Sequence, residues 1–443
     1  MFNRAWIQLA LLILVLGLIF EVRAFFVIAA FLLTIVPLSW WWGQRSLRGV
    51  RYERTLGQRR AFPGETVELA QRLTNEKLLP LGWLVLEDRW SMALPPEEGS
   101  LFPSPVGLVG TFRSAFSIRG YERITRRYNL RCTRRGFYPF GPAELISGDI
   151  WGLFAQDRGI DTLDWLIVYP QVLPLEVLGF PPKEPFGETK AEWRFLEDPS
   201  RAVGIRDHQP EDSFRHIHWK ATARRQNLQV KVYEPTTSHN LAVFVNVATI
   251  VPHWAGTRPI LLEKVIAVAA SIVDHAVRDR YLVGLLANGS IPHSDQPIKV
   301  LPSRRPDQLS RILEALAAVT SFTVASIETL LMEESPRLPW GATLVVVTGV
   351  VTDDLLMALI RLRDVGRRVV LVSLEDDAPA RLARRWGDAA LAMGAGGPYP
   401  LPPGITVHHL PASGLPFDEA LMGEPGEWAP EVAPPLRFAA SSG

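Results

Sequence analysis

The chain has 443 residues, with 47 Lys and Arg against 46 Asp and Glu and a formal net charge of +1. That balance leaves no global field to gather nucleic acid, and a chain of this length predicts two or three folded units. The single cysteine, Cys132, excludes an internal disulfide framework and suits a reduced compartment.

Two apolar runs open the sequence, residues 5–20 and 24–42, separated by Glu21, Val22 and Arg23. As helices they would extend about 24 Å and about 28 Å, and Trp40, Trp41 and Trp42 suit a headgroup boundary. Pro37 is tolerated in a lipid-spanning helix. The pattern predicts two N-terminal transmembrane helices forming a hairpin over 1–45. A cleaved signal peptide followed by one span, or one long bent or interfacial element, are the alternatives. Arg4 flanks the first run, and Arg45, Arg48, Arg51 and Arg54 flank the second. Cationic flanks stay inside, which predicts a multi-pass protein of the cell membrane with its large soluble region in the cytoplasm.

Residues 44–60 read as an arginine-rich connector. Period-two alternation over 66–74, 82–87, 108–118, 124–133 and 165–169, punctuated by Gly and Pro, predicts a β-sandwich-like domain over 46–175. Within it, Arg119, Arg123, Arg126, Arg127, Arg131, Arg134 and Arg135 interleave with Tyr121 and Tyr128. This run reads as a nucleic-acid surface, as a surface for anionic headgroups or a partner, or as a solvated strand and its turn. With the near-neutral net charge, no nucleic-acid partner is expected.

A connector follows over 176–237, rich in Pro and Glu at 179–200. Beyond it the rhythm changes to apolar strands at 241–247, 281–287, 342–348, 368–373 and 406–409. Helical spacing lies between them at 260–277, 307–318, 326–333, 354–364 and 378–386. Strands that are apolar on both faces and alternate with helices mean a parallel sheet covered on both sides. The expectation is a doubly wound α/β domain over 238–412, with a disordered Pro-, Gly- and Ala-rich tail over 413–443.

The densest segment lies in the second half of that connector, residues 204–234. Asp212 or Ser213 caps a helix predicted over 214–224, and a strand follows over 228–233. His208, His216 and His218 suggest a metal, but two histidines two apart on a helix point in different directions. Asp207, Glu211 or Asp212 with a histidine suggests acid–base work, without a framing nucleophile. Arg206, Arg215, Arg224 and Arg225 suit carboxylate recognition. Internal pairing of Arg215 or Arg224 with Asp207 or Asp212 is the structural alternative.

The run Arg206-Asp207-His208-Gln209-Pro210-Glu211-Asp212-Ser213-Phe214-Arg215-His216-Ile217-His218-Trp219-Lys220, with Ala223-Arg224, resembles the signature of the bacterial and archaeal family called domain of unknown function fifty-eight. His208 and Glu211 stand where that family commonly has Tyr and Gly. Upstream, Arg134-Arg135-Gly136-Phe137-Tyr138, Gly141-Pro142, Asp149-Ile150-Trp151-Gly152-Leu153-Phe154 and Val168-Tyr169-Pro170 resemble further elements of the family. On this resemblance Arg206, Asp212, Arg215, His218, Trp219, Lys220 and Arg224 are the binding or structural signature.

The resemblance implies an α/β domain similar to von Willebrand factor A, which often holds Mg²⁺ through Asp-x-Ser-x-Ser after its first strand. Here those positions are Asn246, Ala248 and Ile250, a degenerate cation site, so no metal or other cofactor is expected. The resemblance also implies a MoxR-type AAA+ ATPase as partner. This chain carries no Gly-rich phosphate loop of its own. The resulting expectation is a membrane-anchored cytoplasmic adaptor or scaffold in envelope-related assembly or maturation, bound to the lipid bilayer and to a protein, with no catalytic residue. A hydrolase joining Asp207, Asp212 and His218 at a domain junction, and a purely structural envelope protein, are the alternatives.

Overall fold

The computed structural model describes residues 4–21, 23–103, 109–181, 197–209, 217–235, 240–291, 296–339, 341–380, 382, 401 and 404–422. It divides into two compact units, one of residues 1–171 with 316–320 and 418–443, the other of 172–315 with 321–417.

The first unit opens with α1 (Arg4–Phe20) and α2 (Arg23–Ser46), which pack together across a turn where Glu21 has a φ of 50°. The helix α2 is long and apolar enough to cross a membrane, with a mean hydropathy of 2.1, whereas α1 is shorter. Pro37 lies inside α2 without ending it.

The arginine-rich connector expected over 44–60 is instead ordered secondary structure. Helix α2 runs on to Ser46, and β1 (Val50–Leu56) begins after a single turn. The reason is visible in the contacts. The last carbonyls of a helix need donors and favour cations. Lys77 Nζ donates to Ser46 O at 2.6 Å, while Arg158 donates to Leu47 O at 3.0 Å and also to Val50 O. Gly43 packs so closely on Phe154 that a Cβ there would stand 3.0 Å from the Phe154 carbonyl oxygen.

Burial, followed by the neighbouring Arg158, lowers Lys77 to about 8 from the usual 10.5. Between those two values the unfolded chain holds a proton that the folded chain has given up, so stability from this group rises with pH across that window. We expect the Lys77 ammonium to titrate near 8 in the folded protein. The pH dependence of its ζ-nitrogen NMR shift measures this; titration at the ordinary lysine value would contradict the burial.

The remaining strands of this unit are β2 (Arg60–Ala61), β3 (Thr66–Asn75), β4 (Leu81–Ser91), β5 (Leu101–Pro103), β6 (Val109–Ile118), β7 (Arg123–Arg131), β8 (Gly136–Gly148), β9 (Ala155–Ile160) and β10 (Asp164–Val168). Among the described residues they form one sheet in the order β1-β3-β7 and another in the order β2-β10-β8-β4-β6-β5, with β9 on β8. All pairs are antiparallel except β10 with β2. Both sheets feed common cores. Val67, Leu69 and Leu130 from one join Trp90, Phe112, Tyr138 and Phe140 from the other. Alternation in β3 puts Val67, Leu69, Gln71 and Leu73 inward, as period two requires. Strand β8 escapes sequence reading because it is buried along nearly its whole length and so carries no alternation.

Arg54 is not a membrane-flanking charge. Its side chain is 1% exposed and bonds Asp88 at 2.6 Å, Asp164 at 3.0 Å and the carbonyls of Phe140 and Thr162. Tyr52 and Gln71 donate to the second oxygen of Asp88 at 2.8 Å and 3.1 Å. The basic run 119–135 is not a single surface either. Arg126 lies over the Phe116 ring at 4.0 Å, Arg127 stands 3.6 Å from Glu68, and Arg135 is buried.

The second unit begins with β11 (Glu197–Asp207), α3 (Trp219–Arg225) and β12 (Gln229–Pro235), the two strands pairing antiparallel. Then follow β13 (Asn240–Asn246), α4 (Pro259–Arg278), β14 (Leu282–Ala287), β15 (Ile298–Ser303), α5 (Gln308–Ala318), α6 (Ile327–Glu334), β16 (Thr343–Thr348), α7 (Asp353–Asp364), β17 (Arg368–Ser373) and β18 (Ile405–His409). Among the described residues the sheet order is β15-β14-β13-β16-β17-β18, parallel except for β15 at one edge. Sequence periodicity misses β15, whose short alternation of buried and exposed residues suits an edge.

One face of the sheet, with Ala242, Phe244, Leu344 and Leu371, packs against α6 and α7. Leu241, Val243 and Val245 are buried as well, and α4 contacts β13, β14 and β16. Helix α4 is apolar nearly all round because its far side is covered too. Ser271 Oγ accepts from Leu173 N at 3.0 Å, and Lys264 Nζ donates to Ala412 O at 2.9 Å. The helix read over 378–386 is seen only at 378–380 and 382; residues 383–386 lie outside the described residues. The stretch from 413 to 422, read as part of a disordered tail, is ordered, with Leu415, Phe417 and Met422 buried; residues 423–443 lie outside the described residues.

Candidate functional site

In an open α/β sheet the chain leaves neighbouring central strands in opposite directions, and the gap between their carboxyl ends is the natural binding crevice. Here that point lies between β13 and β16, where Asn246 and Thr348 are register partners. A cavity of about 440 Å³ opens there. Its lining comes from the loop after β13 (Ala248, Ile250, Val251, Pro252, His253, Trp254), from the start of α6 (Ser326, Glu328) and from the start of α7 (Val350, Thr352, Asp354).

The floor is a closed polar network. Asn246 Nδ2 donates to Thr348 Oγ1 at 3.0 Å, and Asn246 Oδ1 accepts from Ala248 N at 3.1 Å and Asn288 Nδ2 at 3.0 Å. Asn288 Oδ1 accepts from Val247 N at 2.7 Å, and its amide also donates to Ala325 O at 3.1 Å. Thr348 Oγ1 donates to Val350 O at 2.6 Å. These residues do not fit a divalent cation, which wants several free oxygens in near-octahedral array. Asn246 Oδ1 is already committed twice, and Ala248 and Ile250 bring no side-chain oxygen. Among the described residues, no group of three or more His, Cys, Asp or Glu side chains could hold a metal ion.

The wall is acidic. Thr352 caps α7 by accepting from Leu355 N at 3.1 Å, and its hydroxyl donates to Glu328 Oε1 at 2.9 Å. Glu375 Oε2 accepts from Val351 N at 2.8 Å. Asp353 and Asp354 occupy the first turn of α7, where carboxylates are favoured by the helix dipole. Burial lowers His409 from its ordinary value although Asp376 and Glu375 oppose it.

The lip is apolar and open to solvent. Trp254 is 75% exposed, and Val251, Phe322 and Val324 are exposed as well. Thr323 Oγ1 donates to His253 O at 2.8 Å, which brings the Phe322 loop beside the Trp254 loop. A crevice with carboxylates inside and an aromatic rim suits a cationic side chain flanked by apolar neighbours.

The signature segment is placed differently from its sequence reading. Helix α3 starts at Trp219, not at 214, because Ile217 bridges Val230 and His218 caps the helix, its Nδ1 accepting from Ala221 N at 3.0 Å. Arg206 is the last residue but one of β11 and donates to Asp207 O at 3.1 Å. Asp207 accepts from Gln229 Nε2, and Gln229 N donates to Thr222 Oγ1 at 3.0 Å. Gln229 is fully buried where it makes these bonds. Trp219, Lys220 and Arg224 are exposed. Asp212, Arg215, Glu211 and His216 lie outside the described residues. For the hydrolase alternative, His218 and Asp207 are each committed to local backbone or amide partners.

Sequence reading names Asn246 at the crevice but passes over Asn288, Thr348, Glu328 and Trp254. A signal was available. Asn246 and Thr348 are polar residues closing runs that are otherwise apolar, and Asn288 directly follows such a run.

Comparison with known proteins adds the following. The CARDB domain of the PF1109 protein from Pyrococcus furiosus overlays 26% of this chain and 93% of its own at a TM-score of 0.18 and 11% identity. Spo0M, a sporulation control protein from Bacillus subtilis, overlays 27% of this chain and 49% of its own at 0.17 and 14%. Overlays at these scores carry no argument about fold. The uncharacterized protein YeaD of Bacillus subtilis (strain 168) is 25% identical over 363 residues, which is 81% of this chain and 82% of that one. Residues 204–392, from β11 past the centre of the α/β sheet, match the family described as "Protein of unknown function DUF58", and a domain of that family is present here.

Proposed function

We propose that this chain is a membrane-anchored cytoplasmic accessory protein whose α/β unit docks a protein partner at the carboxyl end of its sheet. The observation that carries the reading is the crevice between β13 and β16, apolar at the lip and acidic within, without a metal or catalytic set among its lining residues. The sheet order, with β13 central and an antiparallel β15 at one edge, supports a von Willebrand factor A-like reading of the α/β unit. The common cores of the two N-terminal sheets support a β-sandwich-like reading of the other. The apolar length of α2 and its packing with α1 support a two-helix membrane anchor. On the family resemblance the partner is a MoxR-type AAA+ ATPase, which supplies the nucleotide chemistry that this chain lacks a phosphate loop for. The role is adaptor or scaffold in envelope-related assembly or maturation.

A photo-crosslinking side chain at Trp254 tests this in intact cells. The ATPase is expected among the captured proteins, and the added Asp354→Lys substitution is expected to reduce that capture about tenfold, a loss of about 1.4 kcal/mol. Arg224→Ala, on exposed α3, serves as control. Capture that is unaffected by charge reversal, or absent from position 254 while another exposed site yields it, rejects the crevice as the docking site.

A further inference from the structure

The end of the first unit that receives α2 carries three loops with exposed apolar tips. The loop from β3 to β4 presents Leu78, 77% exposed, and the loop from β6 to β7 presents Tyr121, 71% exposed. The turn from β8 to β9 presents Ile150, Trp151 and Leu153, at 54%, 49% and 40%. Hydrogen bonds place the first two together: Tyr121 N donates to Lys77 O at 3.1 Å, and Asn75 Nδ2 donates to Leu79 O and Arg119 O at 2.9 Å. Lys77 bonds the end of α2 directly, and the third turn reaches the same helix through Phe154 against Gly43.

These side chains do not hold their loops in shape. In the third turn the Asp149 carboxylate accepts from Trp151 N at 3.0 Å and Phe154 N at 2.7 Å, and Trp83 Nε1 donates to Asp149 O at 2.8 Å. Gly152 takes the left-handed conformation, with a φ of 71°. The turn is satisfied by its backbone, and Ile150, Trp151 and Leu153 project from it.

Height along the helix decides what they meet. Gly43 lies about 1.5 to 4.5 Å along the axis from Trp42, Trp41 and Trp40, the side chains suited to the headgroup boundary. Phe154 touches α2 at that level. Arg48 before β1, Arg51 within it, Arg119 in the β6–β7 loop and Arg123 at the start of β7 are exposed on the same end. Arg45 lies 4.6 Å over the Trp41 ring. Apolar and aromatic tips within a cationic rim match an anionic bilayer surface.

We infer that the three loops bearing Leu78, Tyr121 and Trp151 form a lipid-contacting foot that seats the β-rich unit on the membrane interface beside α2. The inference rests on the membrane anchor proposed above. Its consequence is that the unit stands at a fixed height and tilt instead of swinging on a flexible tether.

Depth measurement tests it on the full chain in nanodiscs of mixed phosphatidylcholine and phosphatidylglycerol. Nitroxide labels go one at a time on Leu78→Cys, Tyr121→Cys and Trp151→Cys, with Ile150→Cys as a second site in the third turn. Gln58→Cys, exposed beyond the far end of β1, is the aqueous reference, and Leu33→Cys within α2 reports the anchor itself. The native Cys132 is buried and its thiol is pushed up to about 12, so it does not compete for label. The ratio of oxygen to nickel-chelate collisions is expected to be severalfold higher at the loop tips than at Gln58. Tips that match Gln58 while Leu33 reports lipid overturn the foot and leave the anchor standing. Water at Leu33 overturns both.

Discussion

Replacing Arg54 with Met is expected to cost the β-rich unit about 3–5 kcal/mol. The guanidinium is the shared partner of Asp88 and Asp164 and of two carbonyls, and both it and Asp88 are closed off from solvent. Taking it away leaves Asp88, which is fully buried, with the Tyr52 hydroxyl and the Gln71 amide, among the described residues, for its charge. Hydrogen exchange of the detergent-solubilised full chain measures this, because the loss should appear in β1, β3, β4 and β8 and spare the α/β unit. The double variant Arg54→Met, Asp88→Leu should recover part of the loss, since it removes the stranded charge together with its partner. Protection unchanged in the single variant would mean that water reaches the cluster.

The same cluster sets an alkaline limit. Burial first, then the Asp88 carboxylate, raises the Tyr52 hydroxyl well above the ordinary phenol range near 10. A folded-state value above the unfolded one gives stability that is whole below about pH 10 and declines as pH climbs past it, because only the unfolded chain can then release the proton.

Asn288→Ala is expected to cost the α/β unit about 3 kcal/mol, at 1–3 kcal/mol for each buried group left unpaired. The lost amide serves Val247 N, Asn246 Oδ1 and Ala325 O at once, and Asn288 is fully buried. The effect reaches the crevice, since Val247 begins the loop that presents Trp254 and Ala325 precedes the cap of α6. Chemical denaturation reports the stability. Crosslinking from position 254 reports the site, and it should fall even where the variant remains folded. A variant with intact stability and intact capture would show that the network does not hold the loop.

Legibility followed the kind of signal each element carries. The strand at 368–373 and helix α7 are plain because continuous Val content and three- to four-residue spacing each report burial directly. Strand β8 is not, because burial on both faces erases alternation while Pro139 and Pro142 imitate a loop. Strand β1 hides behind its charges: Arg51, Glu53 and Arg54 look like a solvated connector until β3 supplies partners. In the signature segment the helix is misplaced because Ser213 and Asp212 are plausible caps by type, whereas His218 takes the cap once Ile217 pairs with Val230.

From composition and periodicity alone came the apolar N-terminus, the strand-rich stretch behind it and the alternation of strands and helices that makes an α/β sheet. Those properties are local, since each residue's burial repeats along its own element with period two or about 3.6. Folding in three dimensions decided which polar side chains meet. Asn246, Asn288, Glu328, Thr348 and Asp354 come from separate segments and converge only because parallel strands align their carboxyl ends. Arg54 changed from a flanking charge to the centre of a buried cluster because the sheet holding β1 stacks on the sheet holding Asp88 and Asp164. No period along a chain encodes a contact that depends on how two elements are stacked.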